Sequence, residues 1–439
     1  MIIGMIFQTS YNLVDGIWVA GLGVNQLAAV GLFFPFLIMI MALGGGIGIG
    51  GGSAISRRIG EGNKKDADNT AIHTILIGIC LALGMSLAFL PFLESIFTFL
   101  GGNKEVSSMA TDYARILFAG ATILIFSNVA NAILRGEGDT KRAMYALITG
   151  SVLNMILDPI YIYTFGMGVV GAAWATLTSM TVSAALFIYW LWVKQNTYLD
   201  IAFRNFRANK HILQEILKVG VPASMAQLSM SVSMLFLNKV AIIVGGTDGV
   251  AVFTSGWRVI MLGSIPLLGM ATAVTSVVGA AFGAKDKEKL NTAYIYAIKI
   301  GILMALSVAI SVILFSSQVA YMFTYAEGTA RISDDLVNFF RWTAAFYPTI
   351  PLGMLTSAMF QGVGKGSRAL AVTILRTIIL QVPAAYLLGA IFGLGLTGVW
   401  AGIVAGNAVA ASVAFMWGRT TIKNISHDFT FCSSSYDLK

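Results

Sequence analysis

Two carboxylates stand in stretches of the sequence that are otherwise apolar. Asp15 lies in "TSYNLVDGIW", and Asp158 lies in "LNMILDPIYIY". Nearly all the other acidic residues lie in polar segments or at their edges. An ionisable side chain within a membrane span costs ~2.5–3.5 kcal/mol on insertion scales, so such residues are functional candidates by default. Two neighbouring carboxyl groups can share a proton or, with neutral oxygen ligands, bind a hard cation such as Na⁺.

Two neutral polar residues lie at a depth that matches the carboxylates. Asn154 and Asp158 are four residues apart, so they share one face of a helix. Asp15 and Asp158 each precede the outer end of their apolar run by about 8–9 Å at 1.5 Å per residue. Thr176 lies about as deep in the run that follows. These four residues predict an ion site; the alternative is that Asp158-Pro159 is only a kink that Asn154 caps, with Asp15 near the outer interface.

The elements that must position these residues are membrane-spanning helices. The 439 residues are 57% hydrophobic and 11% charged, whereas a soluble domain carries about 25% charged residues. Apolar runs long enough to cross a hydrocarbon core of ~30 Å recur along the chain. They predict an all-α polytopic membrane protein with spans near 2–20, 27–55, 71–99, 113–134, 143–164, 168–193, 213–244, 250–280, 291–322, 334–361, 367–391 and 396–418.

The basic residues predict the orientation of these spans. Most Lys and Arg fall in the loops that follow even-numbered spans and in the C-terminal tail, whereas Lys104 and Arg331 alone fall in the other loops. Cytoplasmic loops carry such an excess, so both termini are expected in the cytoplasm. The net charge of +8 then follows from topology, and nucleic acid is not an expected partner. A catalytic or channel function would need a nucleophile–base pair, a cluster of metal ligands or a pore ring, and none is evident in the sequence.

Three pairs of segments repeat at an offset of about half the chain. "LRGEGDTKRA" resembles "FQGVGKGSRA", "FGMGVVG" resembles "FGLGLTG", and "GEGNKKDADNTA" resembles "GAKDKEKLNTA". With six spans in each half, the repeats are parallel and related by an axis along the membrane normal. The second half has Val382 before its proline where the first has Asp158, so the ion chemistry is expected in one half. The predicted domains are an N-lobe at 1–194, a cytoplasmic linker at 195–212, a C-lobe at 213–425 and a polar, disordered tail at 426–439.

Methionines and scattered polar residues are candidates for a binding cavity between the halves. Met180, Met230 and Met234 could form an adaptable, polarizable wall, although methionines on a helix are usually packing residues. Polar contacts could come from Gln8, Tyr11 and Asn131.

Long segments of the chain resemble the multidrug and toxic compound extrusion (MATE) transporters, with the closest likeness to the archaeal DinF-like branch. They include "YNLVDGIWVAGLG", "SAISRRIGEG", "ILRGEGD" and "LNMILDPIYIYTFGMGVVGAAWAT", and the likeness extends over residues 1–425. It implies twelve helices in two lobes at the cell membrane and export of small, amphipathic, often cationic compounds against H⁺ or Na⁺, with no cofactor besides that ion. We expect a monomer in the lipid bilayer.

The resemblance also assigns residues. It places the coupling site on Asp15, Asn154, Asp158 and Thr176, with Ala172 nearby, and the first four would be the metal ligands if the ion is Na⁺. It places the substrate cavity on Gln8, Tyr11, Asn131, Met180, Met230 and Met234. The alternative function is a flippase for lipid-linked precursors of the same superfamily. That alternative predicts a more cationic cavity, and Arg376, in the middle of a span without an evident partner, is the one residue that favours it.

Overall fold

The computed structural model describes residues 1–100, 104–324 and 330–434, with the side chains of Leu13, Val24 and residues 426–434 left aside. The described chain is helical and contains no strand. Its α-helices are α1 (Ile2–Ala20), α2 (Val24–Gly60), α3 (Lys64–Phe89), α4 (Leu93–Phe99), α5 (Lys104–Ala119), α6 (Ala121–Glu137), α7 (Thr140–Pro159), α8 (Gly168–Ile188), α9 (Lys210–Gly283), α10 (Lys287–Leu314), α11 (Ser316–Thr324), α12 (Ser333–Ala344), α13 (Ile350–Gly362), α14 (Gly366–Ile374), α15 (Val382–Tyr386) and α16 (Gly395–Ser434).

These helices confirm the predicted all-α membrane fold. By length and composition, the described residues contain 8 helices that can cross a membrane, or up to 9 if α5 and α6, which meet at 50°, form one bent span. The 74-residue helix α9 is broken at Gly246, whose φ of 61° and ψ of −148° are not helical. It therefore covers two predicted spans. The count of twelve spans stays a prediction.

The chain divides into two compact units, Met1–Ser224 and Met225–Lys439. Each has its own apolar core, with Phe33 and Phe118 buried in the first and Trp400 and Phe253 buried in the second. The boundary falls inside α9, beyond the linker that the sequence predicts. The predicted disordered tail is instead helical as far as Ser434, because α16 continues to that residue; residues 435–439 lie outside the described residues.

The sequence repeat recurs as a repeat of backbone conformation. Gly166 and Gly168 have φ of 66° and 56°, and Gly393 and Gly395 have φ of 67° and 66°. Positive φ is cheap only for glycine, which explains why "FGMG" and "FGLG" are so similar. A π-helical turn precedes each pair, at Ile160–Thr164 and Leu387–Ile391. Such turns are rare and frequently lie at functional sites.

Close approach between α2 and α6 holds the first unit together. A Cβ atom on Gly136 would lie 2.8 Å from the carbonyl oxygen of Gly52, and one on Gly52 would lie 2.8 Å from the carbonyl oxygen of Ala132. Small residues allow helices to approach this closely within a membrane. The glycine-rich run in α2 therefore serves packing, against α6 at Gly52 and against α9 at Gly50.

The predicted linker at 195–212 is bound to the first unit. The side-chain amide of Asn69 donates to the carbonyl of Arg207 at 2.9 Å and accepts from its N–H at 3.2 Å. The N–H of Asn209 donates to Nε2 of His73 at 3.1 Å. The linker is thus fixed to the end of α3 by specific hydrogen bonds.

Candidate functional site

The two carboxylates singled out in the sequence meet within the first unit. Asp15 lies on α1 and Asp158 near the end of α7, and their carboxyl groups are within hydrogen-bonding reach of each other. Asp158 is completely buried. Pro159 ends α7, and the π turn at Ile160–Thr164 follows at once. The buried carboxylate of Asp158 therefore lies at the distorted end of α7 and faces α1.

Asn154 joins Asp158 to the neighbouring helix α8. Its side-chain amide is 3.3 Å from Oγ1 of Thr176 and 3.5 Å from Oδ1 of Asp158, and it is completely buried. Among the described residues, three oxygen atoms of this group are sealed from solvent without a hydrogen-bond partner: Oδ1 of Asp15, Oδ1 of Asn154 and Oδ2 of Asp158. Buried acceptors nearly always have a partner. A proton or a cation would supply one.

Two tyrosines complete the surroundings of the carboxylates. Tyr11, on α1, is 6% exposed, and Tyr113, on α5, is 3% exposed. Both lie within electrostatic range of Asp15 and Asp158. Tyr113 was not among the predicted site residues, because it is the first residue of predicted span 4 and nothing in its local sequence indicates this role.

A cavity of about 140 Å³ opens beside the carboxylates. Asp15 and Thr176 line it together with four of the residues proposed for substrate, namely Gln8, Tyr11, Asn131 and Met180. Apolar side chains and neutral amides form most of the remaining wall, and the basic side chain of Arg135 also lines it. The cavity can therefore hold an apolar body while a carboxylate offers negative charge.

The structure does not bring every predicted residue to this cavity. Ala172 is completely buried and packs in the core of the first unit. Met230 and Met234 belong to the second unit. Met230 is 45% exposed, and Met234 packs against that unit's core. Their assignment to the substrate cavity stays a prediction.

A second contact joins the two helices that carry the carboxylates. The hydroxyl of Tyr163, in the π turn, donates to the carbonyl oxygen of Trp18 at 2.6 Å. The two rings also meet edge to face, with centroids 6.0 Å apart. A Cβ atom on Gly21 would clash with the Tyr163 hydroxyl. The outer end of α1 is thus tied to the π turn that follows Asp158.

A helical membrane protein that seals a carboxylate pair beside an internal cavity has the parts of a transporter. The family model described as MatE matches residues 1–160 and 222–387. The chain belongs to this family, the MATE multidrug export transporters, and is a multi-pass membrane protein and not an enzyme.

Known proteins resemble the chain over nearly its whole length. The multidrug export protein MepA of Staphylococcus aureus (strain N315) is 26% identical over 412 residues, which cover 93% of this chain and 89% of MepA. A crystal structure of MATE in complex with MaL6 is 53% identical, with a TM-score of 0.95 and coverage of 97% and 95%. An outward-facing multidrug resistance MATE transporter of the MOP superfamily is 54% identical, with a TM-score of 0.95 and coverage of 97% and 94%.

Proposed function

We propose that this protein is a secondary active exporter that exchanges small, amphipathic, often cationic organic compounds for H⁺ or Na⁺. The observation that carries the proposal is the carboxylate pair of Asp15 and Asp158, each with one buried oxygen that has no hydrogen-bond partner among the described residues, beside the cavity that Asp15 lines. Alternating access between the two lobes completes the mechanism. A relative solved in an outward-facing conformation supports that part.

The carboxylates couple the two fluxes through charge. With Asp15 and Asp158 ionised, the cavity attracts a cationic compound, because opposite charges interact strongly at low dielectric constant. When a proton or Na⁺ binds from outside, the negative charge falls and the compound is released. The ion drives export only if it binds one conformation better than the other. The carboxylates lie on α1 and α7, so a change in the packing of α1 on α7 would provide that difference.

Either ion fits the chemistry of the group. A proton shared by the two carboxyl groups would satisfy one of the unpaired oxygens. Na⁺ would take oxygen ligands from Asp15, Asn154, Asp158 and Thr176, a set of carboxylate, amide and hydroxyl oxygens that suits a hard cation. The unpaired Oδ1 of Asn154 supports this second possibility.

The predicted topology indicates the location, the orientation and the partners of the protein in the cell. The excess of Lys and Arg in even-numbered loops supports a cell-membrane location with both termini in the cytoplasm. The lipid bilayer is then the one constant partner, and a monomer is sufficient because the cavity and the carboxylates lie within one unit. The relatives named as multidrug exporters favour drug export over a lipid-linked precursor flippase.

The test is efflux from proteoliposomes under separately imposed H⁺ and Na⁺ gradients. Asp158→Asn should abolish gradient-driven efflux of a cationic dye while the protein is made and folds normally. Asp112→Asn is the matched control, because Asp112 is 51% exposed and lies on α5; it should leave efflux unchanged. Full efflux by Asp158→Asn under either gradient would refute the proposed coupling site, and the gradient that drives the wild type identifies the ion.

A further inference from the structure

Arg376 is a cation placed deep in the second unit. It lies about ten residues after Gly366, the first residue of α14, which corresponds to ~15 Å at 1.5 Å per residue. That depth is the middle of a hydrocarbon core of ~30 Å. A charge at that depth is costly and marks a functional site by default.

The guanidinium of Arg376 has neither a hydrogen bond nor an ion pair with any residue that the structure describes. The acidic residues of the second unit whose side chains are described lie between the apolar runs or at an end of one, at Asp248, Asp286, Glu288, Asp334 and Asp335. None of the Arg376 nitrogens is among the described atoms that are sealed from solvent without a partner. The guanidinium therefore has no partner in the described part of the chain, and it is open to accessible space.

The stem of Arg376 lies inside the helical bundle. Its Cδ atom is 3.8 Å from the position of a Cβ on Gly353, and the Cα of Ala411 is 3.9 Å from the same point. Gly353 is buried on α13, and Ala411 is 1% exposed on α16. The stem of Arg376 therefore lies beside Gly353, at the place where α13 approaches α16. The guanidinium reaches accessible space from beside this contact.

A buried polar group lies about one helical turn away from Arg376, on the π turn Leu375–Gln381, on α16 and at Thr349, the residue before α13. Nε2 of Gln381 donates to Oδ1 of Asn407 at 3.1 Å, and the amide of Asn407 donates to Oγ1 of Thr349. Arg376 and Gln381 are five residues apart in the π turn Leu375–Gln381, the spacing of its hydrogen bonds. This group fixes the backbone around Arg376 but carries no charge to neutralise it.

Thr349 precedes Gly353 by four residues, as Asn407 precedes Ala411, so each pair shares one helical face. The surroundings of Arg376 are therefore built by three elements in register, and the described residues named there carry no negative charge.

We propose that Arg376 binds the acidic group of a transported amphipath, namely a carboxylate, sulfonate or phosphate. The proposal rests on the proposed export function and extends its substrates to compounds that carry negative charge. A guanidinium recognises such groups through two parallel N–H donors. The carboxylates lie in the first unit and Arg376 lies in the second, so one protein would hold sites for both signs of charge.

Two dyes that differ at one group test the proposal: a rhodamine with a free carboxylate and the same rhodamine as its ethyl ester. Equilibrium binding to the purified protein and efflux from proteoliposomes are measured for both dyes with the wild type, Arg376→Gln and Arg376→Lys. Lys299→Gln is the matched control, since Lys299 is an exposed cation on α10.

Arg376→Gln should weaken binding of the carboxylate dye about tenfold to a hundredfold, the value of a hydrogen-bonded charge, and leave the ester unchanged. The affinity of Arg376→Lys for the carboxylate dye should lie between those of the wild type and Arg376→Gln, because lysine keeps the charge but lacks the planar guanidinium. Lys299→Gln should leave the binding of both dyes unchanged. Equal losses for both dyes, or no loss for either, would overturn the proposal.

Two further measurements distinguish a lipid headgroup site from a substrate site, and a failure of the proposed export function from a failure of the anion site. Binding is repeated in phosphatidylcholine vesicles with and without phosphatidylglycerol. If the anionic lipid displaces the carboxylate dye from the wild type but not from Arg376→Gln, the site takes a lipid headgroup and the assignment to transported compounds is wrong. If wild-type protein binds both dyes with the expected difference but exports neither under H⁺ or Na⁺ gradients, the proposed function fails while the anion site stands.

Discussion

The hydrogen bond between Tyr163 and Trp18 should stabilise the observed position of α1. Tyr163→Phe removes only the hydroxyl that donates to the Trp18 carbonyl at 2.6 Å, and it keeps the edge-to-face ring contact. Gly21→Ala should disrupt the same hydrogen bond, because the new Cβ would clash with the Tyr163 hydroxyl. Gly21 has φ of −64°, which alanine adopts without strain, so this second substitution acts through Tyr163.

The magnitude follows from the single bond that is lost. A hydrogen bond contributes about 1 kcal/mol net, and at an RT of ~0.59 kcal/mol this is about a fivefold change in the equilibrium between attached and released α1. Each variant should therefore raise the hydrogen-exchange rate in the outer turn of α1 about fivefold. The double variant should show little more than one single effect, because both substitutions remove the same interaction.

The assay is hydrogen exchange followed by mass spectrometry on purified protein, with Tyr161→Phe as control. Tyr161 lies in the same π turn, stacks on Phe165, and its hydroxyl has no hydrogen bond among the described residues. The reasoning is refuted if exchange at the outer turn of α1 is unchanged in Tyr163→Phe, if Tyr161→Phe raises it equally, or if the effects of the two variants simply add.

Two further predictions concern packing and the linker. Gly136→Ala should destabilise the first unit by about 1–3 kcal/mol, because the new Cβ would lie 2.8 Å from the Gly52 carbonyl oxygen and the helices must separate. Thermal unfolding in detergent should show the loss for Gly136→Ala. The control Gly31→Ala should show none, because no atom lies within 4 Å of a Cβ at Gly31. His73→Leu should speed tryptic cleavage of the linker, since the N–H of Asn209 loses its acceptor; an unchanged cleavage rate would mean that this bond does not hold the linker.

The sequence was sufficient to predict features that depend on residue type alone. Asp15 and Asp158 stand out because a carboxylate is rare in an apolar run, and helical spacing then identifies Asn154. The repeated glycines stand out because positive φ restricts the choice of residue. At these positions one local physical requirement selects one residue type, so the residues can be recognised in the sequence without knowledge of the fold.

Features that depend on contacts between ordinary apolar or aromatic residues could not be predicted. Tyr113 and Tyr163 are two of 14 tyrosines, and only tertiary packing brings them to the carboxylates and to Trp18. The helical tail beyond residue 425 was missed because its polar composition is also typical of disorder. The cavity itself is lined by residues of six helices, α1, α2, α5, α6, α7 and α8, so no single segment specifies it.

The π turns at Ile160–Thr164 and Leu387–Ile391 have a consequence for how the two halves acquired separate chemistry. Both copies keep the distortion, whereas one copy holds Asp158 and the other, a few turns away, holds Arg376. The bent backbone is therefore a property of the repeated unit, and the charges are properties of individual copies. A duplicated chain of this kind carries two similar frames, so the proposed cation site and the proposed anion site would differ mainly in a few side chains.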